Sequence, residues 1–180
     1  MATDILRPNA TVSNAWSIGN HASVDENVTQ PDVPGGTDYL TATNNNSDDN
    51  DVIVMGFPNT ITGVGEITNI TVWNWGFKVG SNFPEVDINM GGWQGYQECG
   101  QFNWTSDSFN GNWNQGDLDG LQVRFRADVP VKNDTNNFNV VYVVVTYMIG
   151  YAHSFLGVPA VNIGNVNGIP TANIASIKGV

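Results

Sequence analysis

Along residues 66–79 apolar and polar positions alternate with a period of two. Trp73, Trp75, Phe77 and Val79 fall on one side of this run, and Val72, Asn74 and Lys78 fall on the other. A helix would gather every third or fourth residue on one face, so the pattern predicts a long strand with its aromatic side inward. Val86, Ile88 and Met90 alternate with Glu85, Asp87 and Asn89. Leu121, Val123, Phe125 and Ala127 alternate with Gln122, Arg124, Arg126 and Asp128. Both segments read as half-buried strands with one wet face. Residues 139–151 differ, because Val140, Tyr142 and Val144 and the interleaved Val141, Val143 and Val145 are all apolar. Such a strand is buried on both faces, or lies mid-sheet with one face in an interface. Its β-branched run disfavours helix.

Shorter strands are expected near 12–18, 38–43 and 51–57, with a polar turn over 44–50. About seven to nine strands separated by turn signals indicate a sandwich or barrel. The expected fold is all-β, an antiparallel β-sandwich of jelly-roll-like type, since strands and connections are long. An immunoglobulin domain would be shorter and usually holds a cysteine pair, whereas Cys99 is the sole cysteine. The sandwich is expected to occupy 1–157. Residues 158–180 then form an extended C-terminal arm with two copies of N-I-x-x-[V/I]-x-G-[I/V], starting at Asn162 and Asn173. The glycine of each copy marks a turn.

The length of 180 residues suits one domain with a tail. Charged residues are only 13% of the chain, so its polar surface must come from Asn, Thr, Ser, Gln and Gly, which favour strands and turns. The formal net charge of −11 argues against nucleic-acid partners and against anionic membranes. The apolar run 138–152 is too short to span a bilayer, and residues 1–8 hold no apolar signal region. These features predict synthesis in a cytoplasm and a reduced thiol. Sequons begin at Asn9, Asn27, Asn45, Asn69, Asn103 and Asn133, as an Asn/Thr-rich composition produces by chance.

Candidate chemistry is thin. His21 and His153 are far apart in sequence, Cys99 has no nearby histidine, and no nucleophile-elbow, zinc-protease or phosphate-loop motif occurs. The chain is read as a non-enzyme that needs no cofactor and no metal. Asp48, Asp49 and Asp51 read as a solvated acidic turn. Asp117 and Asp119 match part of a calcium loop but lack its full spacing, and they would be the ligands if calcium bound.

The sharper oddity is six tryptophans, several of them beside Gly and Asn. Trp93, Trp104 and Trp113 are the candidates for a glycan platform, or else for plugs at sandwich ends and subunit contacts. Assembly residues are expected in two places. Val141, Val143 and Val145 would form a second apolar face, and Ile163, Val166, Ile169, Ile174, Ile177 and Val180 would dock the arm.

Several stretches carry a resemblance. They are Ile5-Leu6-Arg7-Pro8-Asn9-Ala10, Val24-Asp25-Glu26 with Asp38-Tyr39-Leu40-Thr41-Ala42, and Ile67-Thr68-Asn69-Ile70-Thr71-Val72. Trp113 with Asp117-Leu118-Asp119-Gly120-Leu121-Gln122-Val123, the run 140–147 and the tail 173–180 continue the series. Together they resemble tailed-bacteriophage and prophage virion structural proteins built on a jelly-roll-like sandwich. The resemblance covers 5–180, except that 91–115 matches no part of it. It implies a capsid decoration (cement) protein or a fibre or tail-surface subunit. The partners it implies are copies of the same chain, a trimer being favoured, and other virion proteins. The location it implies is the virion, after synthesis in the host cytoplasm. It brings no catalytic residues. The alternative is a carbohydrate-binding module or receptor-binding tip that grips host surface glycans through exposed tryptophans.

Overall fold

The computed structural model describes residues 1–35, 38–46, 48–58, 60–80, 82–100 and 103–149, with two short strands at Asn165–Val166 and Ile169–Pro170. In chain order the strands are β1 (Ala2–Leu6), β2 (Ala10–Asn14), β3 (Leu40–Thr43), β4 (Val52–Gly56), β5 (Val64–Val79) and β6 (Glu85–Asn89). They continue with β7 (Gln97–Glu98), β8 (Asn103–Trp113), the single-turn helix α1 (Gln115–Asp119), β9 (Gln122–Arg126) and β10 (Thr135–Ile149). The tail contributes β11 (Asn165–Val166) and β12 (Ile169–Pro170).

Two five-stranded antiparallel sheets face each other. The first has β3 and β1 on one edge of β10, then β5, then β8; the second has the order β2-β4-β9-β6-β7. Leaving aside β1 and β2, the orders β3-β10-β5-β8 and β4-β9-β6-β7 are those of a jelly roll, the chain changing sheets at every step except β6 to β7. The all-β jelly-roll expectation holds. The chain passes from the first sheet to the second at Arg7-Pro8-Asn9, where Pro8 fits because a corner needs no ladder donor.

The core lies between the sheets. Ile70, Val72, Val143 and Val145 meet Ile53, Met55, Ile88, Val123 and Phe125, all fully buried. Phe125 packs against Phe138 with ring centroids 4.5 Å apart, and Trp16 stacks on the same Phe138 at 5.9 Å. In β9 the alternation acts as expected, with Val123 and Phe125 inward and Arg124 and Arg126 outward.

Two expectations are reversed. Val141, Val143 and Val145 are 0% exposed and belong to the inter-sheet core, so they are no surface for a partner. The opposite side of β10 faces outward. In β5 the inward residues are Val72, Asn74 and Gly76, while Trp73 and Trp75 are half-buried on the outside. Space decides this. A Cβ at Gly76 would stand 2.3 Å from the Asn137 carbonyl oxygen, so no side chain fits inward there. Asn74 turns inward to accept a hydrogen bond from the Thr105 hydroxyl at 2.9 Å.

In the tail, β11 and β12 pair antiparallel, Val166 with Ile169. Ile163, Ile174, Ile177 and Val180 lie outside the described residues, as does His153.

Candidate functional site

The outer face of the first sheet is built by cross-strand register. Trp75 stands between Trp104 on β8 and Val140 on β10, and Trp73 stands between Ser106 and Tyr142. The next row is Ser108, Thr71 and Val144. One half of the face is therefore aromatic, and the other carries hydroxyls and amides. Trp73 and Tyr142 stack with centroids 6.2 Å apart, and Trp104 meets Tyr142 edge-on at 5.7 Å. Beyond Trp75, Phe77 is 37% exposed and meets Tyr39 edge-on. In the polar half, Thr71 bonds to Asn69 at 2.7 Å and to Ser108 at 3.0 Å, and Asn69 donates to Asn110 at 3.0 Å.

A strap, residues 25–35, crosses the aromatic half. It leaves the edge of β10 after Val24, whose carbonyl accepts from the Val141 amide at 2.9 Å. The Gln30 amide donates to the Tyr142 hydroxyl at 3.4 Å, and the Trp104 indole donates to the Asp32 carbonyl at 2.7 Å. Arg7 donates to the Val28 carbonyl at 2.8 Å while its guanidinium lies 5.3 Å over the Tyr142 ring. Burial holds the Tyr142 phenol above its ordinary pKa and the Arg7 guanidinium below its own. Among the described residues, the indole N–H groups of Trp73 and Trp75 have no hydrogen-bond acceptor.

The outer face of the second sheet is built from charges. Asp87 is 0% exposed, and its Oδ2 accepts Nε and Nη2 of Arg124 at 3.1 and 2.7 Å. Its Oδ1 takes the amides of Gln94 and Gly95 at 3.0 and 2.8 Å, which pins the loop 90–96 onto the sheet. Arg124 lies under Trp93 at 3.9 Å and against Tyr96 at 4.4 Å, and Arg126 lies on Tyr96 at 4.2 Å and pairs with Glu85. Burial is the largest cause raising the Tyr96 pKa; the two guanidinia oppose it. The alternation at Glu85, Asp87 and Asn89 points to a wet face; the folded-over loop buries Asp87, while Glu85 and Asn89 stay half-buried.

No protein-family model matches the chain, and no curated protein or solved structure matches it either.

The three tryptophans singled out in sequence do not share a groove. Trp93 is 39% exposed on the second sheet, Trp104 is half-buried on the first, and Trp113 is 8% exposed in the core, its ring lying against Gly111. The group that does assemble is Trp73, Trp75, Trp104 and Tyr142. Sequence reasoning had assigned the first two of these to the core.

The remaining candidates are structural. Asp48 is buried and accepts the amides of Thr43 and Ser17 at 2.9 and 3.1 Å and the Ser17 hydroxyl, so the turn is not a solvated one. Asp49 accepts the Val129 amide at 3.0 Å. Asp117 forms a capping box with Asn114 at the start of α1, and Asp119 accepts from Gln115 at 3.0 Å. His21 Nδ1 shares a hydrogen bond with the Thr11 hydroxyl at 2.9 Å. Cys99 is buried, and desolvation pushes its thiol well above the ordinary pKa, which makes it a poor nucleophile. Asp107 points inward beside Val72; burial raises its pKa to about 6 and leaves its Oδ2 without a partner. Among the described residues, no cluster of three His, Cys, Asp or Glu is placed to hold a metal ion, and no helix is long and apolar enough to cross a membrane.

Proposed function

We propose that this protein is a structural subunit of a phage virion surface, of decoration, fibre or tail-surface type, that works by assembly through its C-terminal arm. One observation carries the reading. Every strand of both sheets lies within Ala2–Ile149, and among the described residues β11 and β12 pair with each other and with neither sheet. The described strands of the tail therefore lie apart from both sheets. The tail is rich in Ile and Val, and an ordered segment loses about 1–2 kcal/mol of backbone entropy per residue. Only burial against a larger body offsets that loss. Extended segments gain such burial by adding to a sheet edge, and β8 and β1 end the first sheet. The resemblance of the opening, the closing strand and the tail to virion proteins supplies the setting.

Deletion of residues 160–180 tests the arm. The truncated chain should melt cooperatively with unchanged strand content, yet sediment as a monomer where the full chain sediments as an oligomer. An unchanged oligomer with a lower melting temperature would mean that the arm folds back on its own sandwich. Immunogold microscopy tests the setting, with particles on the virion surface expected and bare virions contradicting it.

A further inference from the structure

We infer that the outer face of the first sheet is a binding site for a neutral saccharide chain. This site is separate from the assembly arm. A pyranose ring presents an apolar C–H face and a rim of hydroxyls. The sheet offers both complements in adjacent rows, with Trp75 and Trp104 side by side, then Trp73 beside Ser106, then Thr71 beside Ser108. Indole faces take the C–H side, and the Trp73 and Trp75 indole N–H groups, without an acceptor among the described residues, take the rim with the Ser106 hydroxyl. Ser106 is exposed and engages no other side chain among the described residues.

Charge narrows the ligand. The chain carries a net −11, yet these six positions hold no charge. Arg7, which borders the site over the Tyr142 ring, is already engaged by the Val28 carbonyl. Nothing at the site would neutralise a sulfate, phosphate or carboxylate, and the field of the whole protein repels them. Shape narrows it further. The strap stands over the Tyr142 end with Gln30, Pro31, Asp32 and Val33 exposed, so two flat sheets cannot mate flush there. A chain one ring wide can lie beside the strap, along the strands.

Affinity electrophoresis of the full-length protein decides the matter, with galactomannan, xyloglucan and mixed-linkage β-glucan as neutral probes and alginate and heparin as anionic ones. At least one neutral probe should retard the protein, and neither anionic probe should. Trp75→Ala and Ser106→Asp should each weaken that retardation by about tenfold, the worth of one lost ring contact or one misplaced charge, with cooperative melting retained. Trp93→Ala, on the opposite face, should leave it unchanged. Absence of retardation by all three neutral probes overturns the proposal, as does retardation that survives Ser106→Asp. Sedimentation of Ser106→Asp supplies the remaining arm. Loss of self-association in that variant, without saccharide binding by the wild type, would make the face a contact between copies. Failure of the arm deletion to change assembly leaves this result untouched, so the two readings fail separately.

Discussion

The two outer faces of the sandwich put the same strand geometry to opposite uses. On the second sheet the outward charges are tied to neighbours, with Arg124 held by Asp87 and stacked between Trp93 and Tyr96, and Arg126 held by Glu85. On the first sheet the outward rows hold indoles, hydroxyls and amides. The second face is closed by its own loop, whereas the first is only half crossed by a strap. The contrast separates a face whose charges are paired internally from one that leaves the Trp73 and Trp75 indole N–H groups and the Ser106 hydroxyl without partners among the described residues. It also shows that hydropathy does not orient a strand whose two sides are both covered. In β5 the larger residues went outward because a Cβ at Gly76 would strike β10, while Asn74 turns inward to accept the Thr105 hydroxyl on β8.

The comparison can be broken most sharply at the core between the faces. Phe125→Ala should cost about 3–5 kcal/mol in urea titration, the usual loss for a buried ring. Trp75→Ala, half-buried, should cost about 1–2 kcal/mol in the same experiment. The reverse order would return Trp75 to the core. Next comes Asp87→Asn, which leaves Arg124 without its buried partner and should cost about 3 kcal/mol. Glu85→Gln, in the more exposed pair, should cost under about 1 kcal/mol. Equal losses would mean that the two rungs of the charged face are equivalent.

A pH experiment tests the inward side of β8. Burial raises the Asp107 carboxyl to about 6 from its ordinary 3.8. The unfolded chain therefore loses this proton first. The stability it confers is complete below 3.8 and disappears as pH rises through about 6. Asp107→Asn should match the wild type in melting temperature at the acidic end and exceed it above about pH 6. A constant difference across the range would mean that folding leaves the Asp107 pKa unshifted. The smallest effect is expected at Ser106→Asp, which should shift stability by less than about 0.5 kcal/mol, because the site is exposed and uncrowded. A larger loss would show that the first face is packed after all.

Most of the fold was legible in the residues. The alternation of Val123 and Phe125 with Arg124 and Arg126 gives a strand and its orientation together, because the outward residues are charged and cannot be buried unpaired. The doubly apolar run in β10 correctly marked a central strand. On the outside the strap from 25–35 crosses Tyr142, and no local pattern announces a contact between Gln30 and Tyr142. The site was less legible for the same reason. Trp93 and Trp104 are close in sequence, but the chain changes sheets between β7 and β8 and carries them to opposite sides. The tryptophans that gather do so through pairing across β5, β8 and β10, which periodicity along one strand does not reveal.

The position of β10 at the centre of the first sheet has a consequence for how the protein is made. Ala2 pairs with Tyr147, and β3 and β5 also pair with this last strand of the sandwich. During synthesis, β1, β3 and β5 therefore wait without their shared neighbour until nearly the whole sandwich has left the ribosome. Contacts this distant in sequence make closure slow. Over that interval the open strand edges, and then the valine-rich β10 itself, are exposed to other nascent chains. Yield in cells should therefore depend on translation rate and chaperone supply more steeply than the stability of the finished sandwich would indicate.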